Sequence, residues 1–457
     1  MSIRNSIGKL VSEKTFYLAS AILLSGLPVV EVITEIIVRF DDSFIPSFFL
    51  PLVTGLFGIL GTLLVIIYWL TLEPGKRKLR IADIFYFTLL LFMILSAVFS
   101  RNPGLYAGGD FFYCEDPTHF LAYYWIYFAG TLIDDPRYRK NLLYLFTGVA
   151  VLEGIFAFLQ TFNIELAYSL YYYTPHTAYG LTQNSNYYGG LCVVFIAGIS
   201  GMYFFLESVT CSKVWKYVLP AILAWLFYTM LGSRARLAWV GFAGLVVFYI
   251  ISFAIMYRKD KETVKPALKR SLVLIALFSA VVLIAYFFTD YIREAAVRSY
   301  WEVANGNVEK VGSERIFNWK MGLLSVKDNW LTGVGLDNYR YVFESAPGYK
   351  NGMYVQAKAH NEYIHVLVTQ GIPAFVNYMA LLVYACSGAV KSVLKKGSKE
   401  KRTVTWILLG MFVTYCVQAL FNGSVTYVAV YFWLVVGLIT PRTVIGHNKN
   451  TLNSSDL

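Results

Sequence analysis

Charged residues are scarce in this chain. Of its 457 residues, 15% are Asp, Glu, Lys or Arg, and 57% are hydrophobic. A soluble domain carries about 25% charged residues. The chain is therefore too apolar to be a soluble globule, and it is too long to be a single membrane anchor. We predict a membrane protein that crosses the bilayer many times.

The sequence also lacks paired cysteines, the alternating pattern of an outer-membrane barrel and a signal-peptide cleavage site. The five cysteines lie far apart and none forms a C-x-x-C pair. This excludes a disulfide framework and a zinc or iron–sulfur site, so we expect no metal and no cofactor. The apolar runs do not alternate at period two, which excludes an outer-membrane barrel. No small-residue cleavage site follows the basic N-terminal residues, so we expect no cleavable signal peptide.

Twelve apolar segments predict the fold. They cover roughly residues 16–38, 48–70, 81–99, 118–133, 141–162, 186–206, 214–231, 236–257, 272–289, 363–388, 403–421 and 425–440. Segment 118–133 is short for a hydrocarbon core about 30 Å thick. The predicted fold class is an all-α polytopic integral membrane protein with about 12 transmembrane helices. One long extracytoplasmic loop, which contains an amphipathic helix, interrupts the series.

The distribution of basic residues predicts the orientation. The net charge is +11, but most of the 39 Lys and Arg residues lie in loops on one side of the predicted spans. Apart from the long loop, the other side carries only Arg39, Arg101, Arg234 and Arg236. This is the positive-inside pattern, which puts both termini in the cytoplasm. The basic loops therefore indicate contact with anionic lipid, and we expect no nucleic-acid partner.

The segments divide the chain into five parts. These are transmembrane helices 1–5 in residues 1–174, helices 6–9 with an outer Ser-Arg motif in 175–289, the extracytoplasmic loop with its interfacial helix in 290–362, helices 10–12 in 363–440, and a cytoplasmic tail in 441–457.

The long loop contains an amphipathic segment, "SERIFNWKMGLLSVKDNW". Ser313 fits the N-cap of a helix in which Arg315, Asn318, Gly322 and Ser325 share one stripe, while apolar residues cover much of the other side. Such a helix lies flat on the outer leaflet and holds Arg315 just above the headgroups. The following Gly333 and Gly335 indicate turns, and we do not infer a nucleotide site from them.

Four side chains are expected to meet on the outer side. Arg234 and Arg236 lie between two spans, Arg315 lies on the surface helix, and His360 lies where a span begins. Guanidinium forks match phosphate oxygens, and a helix N-terminus favours anions and disfavours imidazolium. A neutral His360 can then accept a proton. The pattern predicts transfer from a phosphate-activated, lipid-borne donor to a hydroxyl.

Each of these residues also has a structural interpretation. Arg234 and Arg236 fit interfacial anchors, Arg315 fits a headgroup contact, and His360 fits a helix cap. The next residues, Asn361 and Glu362, are expected to support the site, with Glu362 orienting its neighbours from the first turn. His365 is expected to be a packed histidine.

Polar groups within the spans and one outer loop complete the candidates. We expect Glu31, Glu35 and Glu153 to pair with neighbouring basic or amide groups, although carboxylates inside a membrane are in general candidates for functional sites. The loop "YYYTPHTAYGLTQNSN", residues 171–186, is rich in tyrosine and amides. This composition suits both sugar binding and anchoring at the interface.

Three motifs resemble those of a known family. "MLGSRARLAWVGF", "SERIFNWKMGLLSVKDNWLTGVGLDNY" and "AHNEYIHVLVTQGIPAFVNYMALL" are similar, in this order, to the signatures of the O-antigen ligase and O-antigen polymerase family. The earlier "YGLTQNSNYYGGL" is similar to a further pattern of that family. The resemblance covers roughly residues 175–390. It implies a metal-independent, inverting glycosyltransferase of GT-C-like architecture.

The resemblance also implies substrates and residue roles. The donor would be a glycan on undecaprenyl pyrophosphate, and the acceptor a glycan or a lipid. By motif position, Arg234 and Arg315 would bind the pyrophosphate and His360, followed by Asn361, would activate the acceptor. Arg236 is an additional arginine beside this motif, and we expect it to contribute to donor binding. The protein would lie in the bacterial cytoplasmic membrane, with its active site outside.

Two questions remain open at this level. The family includes ligases, which move finished glycan, and polymerases, which join repeat units, and the sequence does not distinguish them. The alternative from another class is a polytopic membrane transporter. A transporter would show repeated halves and a polar site at mid-bilayer, and the sequence has no convincing two-fold repeat.

Overall fold

The computed structural model describes residues 11–40, 49–72, 78–100, 116–164, 174–210, 212–304, 315–344, 356–395 and 397–445. These residues are almost entirely helical. Among them the structure has no β-strand, only an isolated bridge between Arg80 and Val444. The all-α prediction is therefore confirmed for the described part of the chain.

The helices follow the predicted apolar segments. In chain order they are α1 Glu13–Phe40, α2 Phe49–Thr71, α3 Ile81–Val98, α4 Pro117–Leu132, α5 Pro136–Thr161, α6 Ser185–Phe204, α7 Leu206–Val209, α8 Trp215–Gly232, α9 Arg236–Lys259, α10 Lys261–Phe288, α11 Tyr291–Ala304, α12 Arg315–Ser325, α13 Glu362–Leu394, α14 Lys399–Gln418 and α15 Thr426–Ile439, with a 3₁₀ helix at Tyr339–Phe343.

Eight of these helices are long and apolar enough to cross a membrane, namely α1, α2, α3, α5, α6, α9, α10 and α13. A polytopic membrane protein is thus confirmed. The other four predicted segments coincide with α4, α8, α14 and α15. Twelve as the number of spans stays a prediction.

Helix α6 forms the centre of the bundle. The apolar part of α6 is completely buried, and the helix packs against α8, α9 and α14. The short helix α4 is likewise almost wholly buried, chiefly against α2 and α15. Because protein rather than lipid covers α4, its 16 residues need not match the thickness of the bilayer. By contrast, most of α9 and α10 faces outward.

A kink interrupts α13 near its first third. Gly371 has a φ of 85°, and Pro373 has no N–H to donate. The Thr369 carbonyl therefore lacks its helical partner. It accepts instead from the Gly335 N–H at 3.0 Å and from the Ser96 hydroxyl at 2.8 Å. Donors from the long loop and from α3 thus satisfy the backbone that the kink leaves open.

The loop after α12 is held by this kink. Gly333 and Gly335 have φ values of 71° and 107°, so the expected turn conformations are confirmed. Between them, the Val334 N–H donates to the Val368 carbonyl of α13 at 2.9 Å. The backbone of the loop therefore runs directly against the helix that follows His360.

Helix α12 has the predicted two-sided character. Asn318, Met321 and Gly322 are buried, whereas Leu323 and Leu324 are exposed. Asn318 accepts a hydrogen bond at its carbonyl from the Tyr339 hydroxyl at 2.7 Å. Asn318 and Gly322 of the polar stripe thus pack on the protein, and Leu323 and Leu324 face outward as predicted. Met321, which we predict on the apolar side, is instead buried against the protein. Ser313 lies outside the described residues.

Candidate functional site

A polar cavity of about 250 Å³ lies where several helices end. We call it the arginine cavity. Its wall is formed by Thr174, Thr177, Ser185, Asn186, Ser233, Arg234, Arg236, Arg315, Gln356 and His360. All three predicted arginines and the predicted histidine therefore meet in one cavity. Among the described residues, no three His, Cys, Asp or Glu side chains gather as a metal site.

A tight turn between α8 and α9 presents two of the arginines. Arg234 has a φ of 54°, and its N–H donates to the Leu231 carbonyl at 3.0 Å. The buried Ser233 hydroxyl donates to the Met230 carbonyl at 2.6 Å. Arg236 is the first residue of α9. The turn is thus fixed by its own hydrogen bonds, and both half-buried arginines point to the cavity rather than only to an interface.

Arg234 has two partners on α11 that the sequence did not reveal. Its guanidinium is ion-paired with the Glu294 carboxylate. It also lies over the Tyr291 ring, 5.4 Å from the ring centroid. No sequence signal identified these contacts, because α11 was included in the long loop. The ion pair fixes the position of the Arg234 guanidinium. In this structure the anion that the guanidinium binds is the Glu294 carboxylate.

The surface helix and the histidine segment are joined directly. Trp319 lies one turn after Arg315 on α12, and its Nε1 donates to the Ala359 carbonyl at 2.8 Å. Ala359 immediately precedes His360. The hydrogen bond therefore couples the position of the arginine to that of the histidine.

His360 is held as a neutral imidazole. Burial first, and then the positive charges of Arg315 and Lys358, lower the pKa of His360 from 6.5 to about 4. The shift agrees with the neutral form that the sequence predicts, but its causes are burial and the neighbouring cations rather than the dipole of α13. His360 has a φ of 50°, and its Nε2 lies 3.3 Å from Gln356 Oε1.

The two residues after His360 support the site from outside the cavity. The Asn361 side chain caps α13 by accepting from the Ile364 N–H at 3.0 Å. The Glu362 carboxylate is buried and accepts from the hydroxyls of Tyr378, at 2.7 Å, and Tyr415, at 2.6 Å. Glu362 thus connects α13 with α14, which agrees with the predicted orienting role.

Lys358 is a further organising residue, and its role could not be predicted from the sequence. It is buried, and its Nζ donates to the Ser424 carbonyl at 2.5 Å. A buried ammonium needs such a partner. The contact fixes the segment before α13 to the loop between α14 and α15. His365, by comparison, is buried and packs against Tyr339 with ring centroids 5.5 Å apart, as expected for a packed histidine.

Intramembrane carboxylates hold the tyrosine-rich loop. Glu31 accepts from the Gln183 side-chain amide at 3.0 Å, and Glu153 accepts from the Leu181 N–H at 2.8 Å. The prediction that these two carboxylates pair with amides is confirmed, whereas the Glu35 side chain lies outside the described residues. Gln160 adds a third contact by accepting from the Tyr179 N–H at 2.9 Å.

This loop contributes hydroxyl and amide groups to the arginine cavity, through Thr174, Thr177, Ser185 and Asn186. Such groups can hydrogen-bond to sugar hydroxyls. The tyrosines at 171–173, on which the sugar-binding interpretation partly depended, lie outside the described residues.

A comparison with known families identifies the segment that carries the cavity. Residues 221–379 match the family model described as O-antigen ligase. Four of the cavity residues considered above, Arg234, Arg236, Arg315 and His360, fall within this match. No curated protein matches the chain.

Proposed function

Residues 221–379 match the O-antigen ligase family model, and from this premise we propose that the chain belongs to the O-antigen ligase and polymerase family and transfers a glycan from undecaprenyl pyrophosphate to an acceptor hydroxyl. One observation carries the proposal. Three arginines and one neutral histidine line a single cavity of about 250 Å³ at the helix ends. The cavity combines binding groups for a phosphate-rich leaving group with a proton acceptor.

The arginines bind the pyrophosphate of the donor. Each guanidinium offers a planar fork of N–H donors that matches two phosphate oxygens. Arg234 exchanges the Glu294 carboxylate for a phosphate, and Arg236 and Arg315 act from the other walls. The negative charge that develops on the leaving group is neutralised by guanidinium groups, so the reaction proceeds without a metal ion.

His360 activates the acceptor. With Nε2 donating to Gln356 Oε1, the lone pair of the neutral ring is on Nδ1. Nδ1 takes the proton of the acceptor hydroxyl while that oxygen forms a bond to the anomeric carbon. The bond from this carbon to the pyrophosphate oxygen breaks, and its electron pair leaves with the pyrophosphate. Attack from the face opposite the leaving group inverts the anomeric centre.

The same residues argue against a transporter. The cavity lies at helix ends, formed by a turn between two spans, the start of α12 and the residues before α13. A transport site is expected near the middle of the bilayer. The positive-inside pattern puts the cavity on the outer face of the bacterial cytoplasmic membrane. The acceptor, a glycan or a lipid, decides between polymerase and ligase.

Reconstitution tests the proposal. Purified protein in liposomes is supplied with an undecaprenyl-pyrophosphate-linked repeat unit, in the presence of a chelator. We expect longer glycan for a polymerase, or glycan on an added lipid acceptor for a ligase. His360→Ala and Arg315→Ala should abolish product. Lys320→Ala, which removes an exposed cation on α12 outside the cavity wall, is the matched control for Arg315→Ala and should retain product. Solute flux without glycan product would overturn the proposal in favour of transport.

A further inference from the structure

A second cavity lies within the membrane-spanning part of the protein. It has a volume of about 1070 Å³ and opens between α6, α9 and α10. We call it the apolar cavity. Its wall follows α9 from Phe242 to Arg258 and α10 from Leu268 to Leu283. The α9 wall is about 24 Å long at 1.5 Å per residue, so the cavity can accommodate an extended hydrocarbon chain.

Aromatic rings fill the end of the apolar cavity that is nearest the arginine cavity. The rings of Phe227 and Phe278 are stacked, with centroids 4.4 Å apart. Phe242 packs against both, at 5.0 and 5.7 Å. Phe242 lies about two turns beyond Arg236 on α9. The three rings therefore stand between the two cavities, which argues against a chain that enters from the side of the arginine cavity.

The opposite end of the apolar cavity is strongly basic. Arg258 is part of the wall, and α9 and α10 meet there in the sequence "YRKDKETVKPALKR", residues 257–270. Several other basic residues at this end are ion-paired, namely Arg270 with Glu207, Arg402 with Asp260 and Lys265 with Glu262. Within the described part of the chain, Arg258 forms no ion pair. The mouth of the apolar cavity thus carries uncompensated positive charge.

We infer that the apolar cavity binds an anionic glycerophospholipid from the leaflet at the basic end. The headgroup phosphate contacts Arg258, and an acyl chain runs between α9 and α10 toward the phenylalanine rings. Basic pockets between spans on this side are suited to anionic headgroups. The lipid fills the gap beside α9, the helix that begins with Arg236. The site is separate from the donor site, and the inference does not depend on the proposed reaction.

Native mass spectrometry tests the inference. Delipidated protein in detergent is titrated with phosphatidylglycerol and, separately, with phosphatidylcholine. We expect a saturable site that prefers phosphatidylglycerol. Arg258→Gln should weaken phosphatidylglycerol binding about fivefold, the effect of one cation near an anionic headgroup, and leave phosphatidylcholine binding unchanged. Arg137→Gln, an exposed cation outside the cavity wall, is the matched control and should bind like the parent.

A second variant tests acyl-chain binding inside the cavity separately from headgroup binding at its mouth. Ser279 lies on the cavity wall of α10, and Ser279→Phe fills space that the acyl chain needs. We expect this variant to lose the saturable site for both lipids while it elutes as a monodisperse peak. Equal binding of both lipids by the parent, or unchanged binding by Arg258→Gln, would overturn the inference. The cavity would then hold only ordinary annular lipid. Displacement of phosphatidylglycerol by undecaprenyl phosphate at equimolar concentration would overturn the inference in favour of the donor chain.

Discussion

Trp319 and Ala359 are joined by a hydrogen bond of 2.8 Å from the indole Nε1 to the backbone carbonyl. The two residues are 40 positions apart in the chain. Each is a neighbour of a cavity residue, because Arg315 precedes Trp319 by one helical turn and His360 follows Ala359. The hydrogen bond thus fixes the helix that carries Arg315 to the segment that carries His360.

Loss of this hydrogen bond should impair transfer without removing either cavity residue. Trp319→Phe keeps an aromatic ring on α12 but removes the N–H donor. The expected cost is about 1 kcal/mol, or about a fivefold lower kcat/KM. Glycan synthesis by the reconstituted variant measures this. Trp330→Phe, which changes an exposed tryptophan, should leave the rate unchanged. Equal rates for both variants would show that the hydrogen bond does not position the site.

The pair between Arg234 and Glu294 predicts competition between a carboxylate and the donor. Glu294→Gln removes the carboxylate that is ion-paired with Arg234 and that a donor phosphate would replace in the proposed reaction. We expect the KM for the lipid-linked donor to fall a few-fold, with little change in kcat. Glu262→Gln, which breaks an exposed pair with Lys265 away from the cavity, is the matched control. A higher donor KM in Glu294→Gln would mean that the carboxylate only orients the guanidinium.

The pH dependence follows from the lowered pKa of His360. Its folded-state pKa is about 4, below the ordinary value of 6.5, so the neutral base is retained as the pH falls from about 8 to about 5. The acid limb of kcat/KM should have its midpoint near pH 4 rather than near 6.5. The lowered pKa of His360 also determines how stability changes with pH. The unfolded chain binds the proton first, so this histidine lowers the free energy of unfolding as the pH falls from 6.5 toward 4. A midpoint near 6.5 would contradict this account.

The sequence was sufficient to predict the twelve apolar helices and most of the cavity, but not α11, which lies in the predicted loop. An apolar run of about 20 residues must satisfy its own backbone in a bilayer, which makes a helix the required conformation. Arg234, Arg315 and His360 lie at the ends of predicted helices on the same side. Their meeting could therefore be predicted from topology alone.

The contacts that hold the cavity together could not be predicted in this way. Glu294 is 60 residues from Arg234, and its approach depends on how α11 folds back over the turn. The carbonyl to which Lys358 donates is 66 residues away. The kink at Gly371, within the predicted span 363–388, was also not predicted, because the donors that stabilise the kink come from other parts of the chain. Long-range pairing of this kind leaves no local pattern in a sequence.

The kink itself gives the last prediction. Gly371 has a φ of 85°, and a Cβ there would lie 2.6 Å from both the Leu331 carbonyl carbon and its oxygen. Gly371→Ala should therefore strain the backbone and push the loop away, at a cost of about 1–3 kcal/mol in the free energy of unfolding. Denaturant unfolding in detergent measures the loss. Gly148→Ala, on α5 where a Cβ meets nothing within 4 Å, should instead be neutral or stabilising by up to about 1 kcal/mol. Because the same loop donates to Thr369 on the helix that follows His360, the strained variant should also lose glycan transfer. A Gly371→Ala protein as stable and active as Gly148→Ala would show that the kink is not needed to hold the histidine in place.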